Sequence, residues 1–356
     1  MMKHLLTISL LPLVAAGCAS TRNEVPLVPT TAAQSVQARG ETDAVGTANA
    51  DAADDPAIWR NPANPAASLV VGTDKKAGLH VYDLAGRGRS FIDAGRVNNV
   101  DLKDMGTAGI IVAASDRNDP KNAKLALFRL DPATAVLTPL GTVAVGAGEA
   151  YGVCLMAAGG TLTAFNVIKD GTIRQVELDL SGAAPTGRIV REMKLATQSE
   201  GCVVDARTQR LYVAEEDVGL WRFDARADGP TTAVAMARAV PVAGATGAVQ
   251  IVADTEGVTL APEGEGNGGY LIVSSQGDHA YAVYRLSDDA YVGRFRIAPG
   301  KFGATEETDG IDLAVGDFGP DYPGGLFIAQ DGYNPPHAQN FKFAAWADIK
   351  AALKLD

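Results

Sequence analysis

The stretch Leu69–Leu84, LVVGTDKKAGLHVYDL, holds two alternating apolar arms around the polar tip Thr73-Asp74-Lys75-Lys76. Alternation at period two on both sides of a short polar break is the pattern of a β-hairpin. The pattern returns along the chain, with apolar arms beginning near Ile110, Leu162, Leu211, Tyr270 and Leu326. Its tips are Ser115-Asp116-Arg117-Asn118, Ile168-Lys169-Asp170-Gly171, Glu215-Glu216-Asp217, Ser275-Gln276-Gly277-Asp278 and Gln330-Asp331-Gly332-Tyr333. Each tip leads into a second alternating run: GLHVYDL, KLALFRL, TIRQVEL, GLWRFDA, AYAVYRL and NFKFAAW. One strand-only unit every few tens of residues predicts propeller blades.

A second pattern runs in phase with the first. Ahead of each hairpin stands a short acidic or amide-bearing segment: Asp54-Asp55, Asn98-Asn99, Glu149-Ala-Tyr151-Gly, Glu200-Gly, Glu256-Gly and Asp309-Gly. Asp, Asn and Gly often do no more than mark turns. Here their phase with six hairpins makes them the start of each innermost strand, ringing the mouth of a central channel. The expected fold is therefore all-β, a six-bladed β-propeller. It is one large domain over 45–356, although a chain of 356 residues is long enough for two. Trp346–Leu353 is the best candidate for a short helix.

The formal charge of −11 argues against a nucleic-acid partner, which needs a basic surface. The acids gather at blade tips: Asp54, Asp55, Asp101, Asp170, Glu200, Glu215, Glu216, Asp254, Glu256, Asp309, Asp312 and Asp331. Carboxylates without His or thiolate partners suit a hard cation, Ca²⁺ above all. Lys75, Lys76, Arg117 and Lys169 stand on the tips of the first three blades, facing that ring. Arg forks and Lys point charges match phosphate oxygens. A face with both sets fits a polyphosphate substrate bridged by metal.

Other phosphate and ester chemistries lack their residues. The chain has four histidines and no R-H-G-x-R stretch. Gly277-Asp278-His279-Ala280-Tyr281 matches a metallophosphoesterase fragment, but the further His ligands are missing. No G-x-S-x-G elbow is present.

At the N-terminus, Lys3 precedes the apolar stretch Leu5–Val14 and then Ala15-Ala16-Gly17-Cys18. This reads as an export signal rather than a membrane span. Its end resembles a bacterial lipobox, which implies cleavage before Cys18 and lipidation of its thiol. Ala19 follows, and the absence of an aspartate there favours the outer membrane; a secreted or periplasmic protein is the alternative. Residues 19–44 read as a flexible tether. Cys154 and Cys202 lie on successive innermost strands, and the sequence leaves a disulfide and two buried thiols equally open.

The segments DAADDPAIW (51–59), GTDKKAGL (72–79), NNVD (98–101), YGV (151–153), SEGCVVD (199–205), LYVAEEDVGLW (211–221), YLIVSSQG (270–277), TDGID (308–312), FIAQDGYN (327–334) and QNFK (339–342) closely resemble the β-propeller phytases, the bacterial 3-phytase family. The resemblance runs in order from Asp51 to Asp348. It implies a calcium-dependent phosphomonoesterase that hydrolyses phytate, myo-inositol hexakisphosphate, and other inositol polyphosphates.

Carried over by position, it implies catalytic roles for Lys75, Arg117, Tyr151, Lys169 and Asp309. Phosphate contacts fall on Lys75, Lys76, Arg117, Tyr151 and Lys169. Ligands for several Ca²⁺ ions fall on Asp54, Asp55, Asn99, the Val100 carbonyl, Asp170, Glu200, Glu216, Asp254, Glu256, Gln276, Asp309 and Asp312. Asp170 departs from the family's usual Glu, and Glu306-Glu307 from its usual Ser-Asp. The expected state is a monomer that meets membrane only through its N-terminal lipid. The alternatives are a calcium-stabilised propeller that only binds a ligand or surface partner, or another propeller phosphoesterase or lactonase.

Overall fold

The computed structural model describes residues 30–356. Six small, mainly antiparallel sheets follow one another along the chain, arranged as a six-bladed β-propeller. The innermost strands are Ala53–Trp59, Val97–Asp104, Ala150–Ala158, Ser199–Asp205, Thr255–Pro262 and Ile311–Val315. Each packs against the innermost strand of the next blade, and the last returns to the first. The second and third strands of each blade are the predicted hairpins, from Leu69–Asp74 with Gly78–Asp83 to Gly325–Asp331 with Asn340–Ala345. Their apolar residues interleave between neighbouring blades. One such layer joins Val71 and Val81 of blade 1 to Val112 and Phe128 of blade 2. Trp346–Leu353 is a helix, as the sequence indicates, with Trp346 and Ile349 buried against blades 5 and 6.

The closure differs from the sequence expectation. Residues that composition assigns to a tether are strands of the propeller. Gln34–Gln37 pairs in parallel with Tyr291–Ala298 as a fifth strand of blade 5. Gly40–Glu41 pairs antiparallel with Asn340–Ala345 and supplies the fourth strand of blade 6. The signal lies in contacts rather than in alternation. Glu41 binds the buried Lys342 ammonium at 2.6 Å, and Thr42 donates and accepts hydrogen bonds with the same strand. The expected lipidation site, Cys18, lies outside the described residues.

The cysteine question is resolved. Cys154 and Cys202 form a disulfide, Cα to Cα 5.7 Å, linking the innermost strands of blades 3 and 4.

Candidate functional site

The innermost strands place the site through a repeated irregularity. In blades 1 to 5 the pairing with the second strand slips at the first residues, between Ala53 and Pro56, Val97 and Val100, Ala150 and Gly152, Ser199 and Cys202, and Thr255 and Val258. Bulges of this kind release one or two residues from the ladder and re-aim their side chains. The released residues are the predicted ones: Asp54-Asp55, Asn98-Asn99, Tyr151, Glu200-Gly201 and Glu256-Gly257. Polar side chains of the second strands hold the bulges. Asp55 N–H donates to Thr73 Oγ1 at 2.8 Å, and Asn99 N–H to Ser115 Oγ at 2.9 Å.

The hairpin tips form a second ring. The residue just past each second strand donates its N–H back to a carbonyl ahead of the innermost strand: Lys75 to Ala52, Arg117 to Arg96, Lys169 to Glu149, Glu216 to Gln198, Gln276 to Asp254 and Gly332 to Glu306. This ring is basic on blades 1 to 3 and acidic or amide-bearing on blades 4 and 5. Together the rings line a cavity of about 1130 Å³ that includes Lys75, Tyr151, Glu200, Glu216, Asp254, Glu256, Gln276 and Asp309.

On the basic side, the Tyr151 ring has two cations over it. Lys169 Nζ is 4.7 Å from its centroid and the Arg117 guanidinium 5.2 Å. Arg117 Nε also donates to Glu149 at 2.9 Å. Among the described residues Lys169 has no carboxylate within ion-pair distance. Lys75 is held by three acids: Asp309 at 2.8 Å, Asp51 at 2.9 Å and Asp54 at 3.1 Å. Burial disfavours its charge, but these acids outweigh that and hold the ammonium above the ordinary lysine range.

On the acidic side, ligand oxygens of Glu200, Glu216 and Glu256 all lie within 4.8 Å of one another, and all three residues are buried. Burial, then the neighbouring acids, pushes Glu200 and Glu256 well above the usual carboxylate range. Asp309 rises through burial, against the pull of Lys75. Glu216 is pushed up to about 7, again by burial first. Glu256 Oε2 and both carboxylate oxygens of Asp54 are buried and receive no hydrogen bond; the Lys75–Asp54 contact is an ion pair only. Such crowding of buried, part-orphaned carboxylates is what a bound cation relieves.

Several predicted residues stand elsewhere. Asp55, Asn99, Val100 and Asp312 line a separate chamber of about 170 Å³ lower in the channel. There Asp55 accepts from Val100 N–H at 3.0 Å, and burial pushes it up. Asp312 accepts from Ile58 N–H and Thr259 Oγ1 and is pushed up to about 6 by burial, then by Asp101. Lys76 is exposed and does not line the cavity. Asp170 is exposed and pairs with Lys194 at 3.1 Å. Glu215 faces inward to Thr197 and Trp221, and Asp331 pairs with Lys342.

The cavity also contains Glu306, at the position where the resemblance implied a longer-reaching ligand, and residues that the sequence did not assign to the site: Asp51, Gln198, His279, Tyr333 and Gln339. Gln198 is the clearest. Its Nε2 donates to both oxygens of Glu216, at 2.8 and 2.7 Å, and stands 3.4 Å from the Tyr151 hydroxyl. Its signal was available. Gln198 occupies the repeat position of Asp254, each lending its carbonyl to the tip of its own blade.

Fold and site together define a propeller with a half-basic, half-acidic axial mouth, suited to binding a phosphorylated substrate with a hard cation. The comparisons agree. A model of the phytase family matches residues 3–356. A 3-phytase of Bacillus subtilis (strain 168) is 38% identical over 337 residues, covering 89% of this chain and 85% of the relative. This chain belongs to the phytase family and is an enzyme of that family. A chain in a crystal structure of the mitotic checkpoint complex aligns over 97% of this chain and 86% of its own, at 13% identity and a TM-score of 0.49.

Proposed function

We propose that this enzyme hydrolyses phytate and related inositol polyphosphates to lower inositol phosphates and inorganic phosphate, with Ca²⁺ as cofactor. One observation carries the reading. Tyr151, with the Arg117 and Lys169 cations over its ring, and the Glu200–Glu216–Glu256 cluster of blades 4 and 5 line one cavity. The 3-phytase name of the relative supports the substrate.

The donor set fits Ca²⁺. It is made of oxygens alone, several buried without hydrogen bonds, and contains neither thiolate nor imidazole. Glu200, Glu216, Glu256 and Asp309 would hold it, with Asp54, Asp254 and Gln276 beside them. Bound there, it offsets phosphate charge and lowers the pKa of a coordinated water.

The chain's own residues do the rest. Lys169, uncommitted and over the Tyr151 ring, meets the phosphate of the scissile ester. Arg117 adds a second charge, and the Tyr151 hydroxyl orients a phosphate oxygen. These contacts strengthen as charge builds on the transferring group. Water attacks phosphorus in line, its O–P bond forming as the ester P–O bond breaks, and the inositol oxygen leaves with a proton. Lys75 is shared among three carboxylates, and neutralising those acids frees it to face the substrate.

The export signal and lipobox extend the proposal to an anchored protein outside the cytoplasm, tethered through Cys18 with the catalytic domain free. Phosphate release from phytate, assayed with Ca²⁺ and after its removal, tests the activity. Release that is equal in both conditions overturns the calcium dependence, and no release in either overturns the substrate.

A further inference from the structure

The N-terminal arm also reaches the mouth. Ahead of the strand Gln34–Gln37, Thr31 pairs with Gly247 in a single parallel bridge. Gly247 belongs to a loop of blade 4, residues 241–250, which joins Val234–Val240 to Ile251–Val252. Pro241 and Val242 of that loop bring apolar surface to a cavity lined mainly by charged and amide side chains. The loop packs little by itself. Gly244 and Gly247 have positive φ, and a Cβ on either would meet nothing within 4 Å. Among the described residues, the hydrogen bonds that reach its middle from elsewhere come from the arm. Ala32 N–H donates to the Gly247 carbonyl at 2.8 Å, and Thr30 Oγ1 to the Ala245 carbonyl at 3.2 Å.

Thr31, between those two donors, has a second partner. It is buried, and its hydroxyl donates to Oδ2 of the buried Asp278. The other Asp278 oxygen accepts from Ser275 Oγ at 2.6 Å and from Arg294 at 2.7 Å. Oδ2 receives no other hydrogen bond among the described residues; Arg296 stands 3.6 Å from it and donates to Thr31 Oγ1 at 3.0 Å. Asp278 closes the tip of blade 5, a single turn of 3-10 helix over Gln276–Asp278. That tip carries Gln276, whose amide reaches Asp309 of blade 6 at 2.5 Å. Loop and tip touch as well: a Cβ on Gly277 would stand 2.6 Å from Val242 Cγ2. The arm therefore ties the loop through Thr30 and Ala32, and the tip through the Thr31 hydroxyl.

We propose that Thr30–Ala32 is a clamp belonging to the site's framework, and that Thr31 is a positioning residue for substrate binding. It holds the blade 5 tip and the 241–250 loop together as one wall of the cavity. The inference rests on the phytate reading above. Thr31 does not itself line the cavity, so it acts through Asp278 on Gln276 and through the loop on Val242. Without the hydroxyl, Oδ2 is a buried carboxylate oxygen lacking a donor, and the turn relieves that cost by shifting. The groups assigned to the scissile phosphate, Lys169, Arg117 and Tyr151, stand on blades 2 and 3, apart from this wall. Loosening the wall therefore weakens substrate binding and leaves turnover of bound substrate intact.

The test compares Thr31→Val, Thr31→Ser and Thr42→Val in the calcium-loaded chain. Val keeps the shape and the backbone bridge but removes the hydroxyl, and Ser keeps the hydroxyl. Thr42 is the control: a buried threonine of the same arm whose Oγ1 accepts from Phe341 N–H of blade 6 at 3.1 Å and which does not line the cavity. For phytate, KM rises roughly tenfold in Thr31→Val, the worth of one hydrogen bond to a charged acceptor, while kcat holds. Thr31→Ser restores most of the loss. Thr42→Val keeps the wild-type KM whatever stability it gives up. An unchanged KM in Thr31→Val overturns the proposal, and an equal rise in Thr42→Val does so too, because it marks a general effect of the arm. Should Thr31→Val fail to fold, Thr30→Ala decides, at an exposed position that the fold tolerates. A rise of about threefold in its KM supports the clamp, and an unmoved KM sinks it. Should the wild type release no phosphate, the catalytic reading fails by itself. Amide hydrogen exchange of the cation-free chain then settles the clamp. Exchange of segments 241–250 and 275–279 roughly tenfold faster in Thr31→Val than in Thr42→Val supports it, and equal exchange overturns it.

Discussion

Gly201 is pressed against the backbone of Glu256 on the next blade: a Cβ placed on Gly201 would stand 2.2 Å from the Glu256 carbonyl oxygen. The contact repeats around the channel. Gly152 would meet the Glu200 carbonyl at 1.9 Å, and Gly257 the Asp309 carbonyl at 2.7 Å. Each glycine follows a residue of the inner ring. Its lack of a side chain lets adjacent innermost strands approach until the ring side chains share one mouth.

Gly201→Ala is therefore expected to push blades 4 and 5 apart. Overpacking against fixed backbone costs about 1–3 kcal/mol, occasionally more. Gly46→Ala, whose Cβ meets only Asp74 Oδ2 at 3.9 Å, serves as the control. Urea denaturation of both variants checks this. Equal midpoints would show that the blades have slack the structure does not display.

The Cys154–Cys202 disulfide joins blades 3 and 4 across a sequence separation of 48. Closing a loop of that length in the unfolded chain is worth about 4 kcal/mol in the chain-entropy account. Cys154→Ser with Cys202→Ser should lower stability by up to that amount, and reductant should destabilise the wild type but not the double variant. Identical unfolding of wild type with and without reductant would mean the bridge is not formed in solution.

Electrostatics at the acidic side predict how the cation-free protein responds to pH. Glu216 is held at about 7 in the fold against an ordinary 4.5. Its folded value is the higher one, so the folded state keeps the proton longer. Its contribution to stability is therefore fully present below about 4.5 and is lost as pH rises through about 7. The drop is on the order of 3 kcal/mol for a shift of that size. Ca²⁺ should flatten it, and Glu256→Gln should shrink both the drop and the stabilisation by Ca²⁺. Denaturation of demetallated protein at both ends of the window measures this. Stability that climbs across the window contradicts the proposed crowding.

Much of this was legible in the sequence. Blade count, hairpin tips and the dipeptides Asp54-Asp55, Glu200-Gly201 and Asp309-Gly310 repeat along the chain, so period alone located them. What escaped was set by geometry that a repeat does not encode. Asp55 and Asp54 are neighbours in sequence, yet the bulge sends Asp54 toward Lys75 and Asp55 down to Val100. Asp170 follows Lys169 but turns outward to Lys194. The strand Gln34–Gln37 carries little alternation, and its place is set by partners more than 250 residues away. His279 stands one residue past its tip, and Tyr333, although it ends the sixth tip, carries no charge to mark it there.

Lys169→Met tests the catalytic assignment. Lys169 has no ion-pair partner to strand among the described residues, and its ammonium stands 4.7 Å from the Tyr151 ring centroid. The fold should survive, while kcat on phytate falls on the order of 10²–10³, the cost of one transition-state charge contact. Arg117→Met should behave similarly with a smaller loss, since Arg117 already shares its charge with Glu149. Near wild-type turnover in Lys169→Met would remove that lysine from the mechanism.

The N-terminal arm closes the ring, so where the folded domain begins is measurable. Lys342 is 1% exposed and lies 2.6 Å from Glu41 and 3.2 Å from Asp331. Deleting the arm leaves Asp331 as its carboxylate partner among the described residues, and blade 6 loses its fourth strand. Breaking a buried pair by removing one partner costs about 3–5 kcal/mol. Asp331, pushed up to about 6 mainly by burial, cannot take over fully in mildly acidic solution. A chain of residues 30–356 keeps both strands of the arm and the Glu41–Lys342 pair. A chain of residues 45–356 should lose at least the cost of that pair, or fail to fold. Glu41→Gln gives the graded case: the strand remains, only the charge goes, and its loss should be smaller than that of the truncation. Matching melting temperatures for the two truncated chains would show that the propeller closes without the arm.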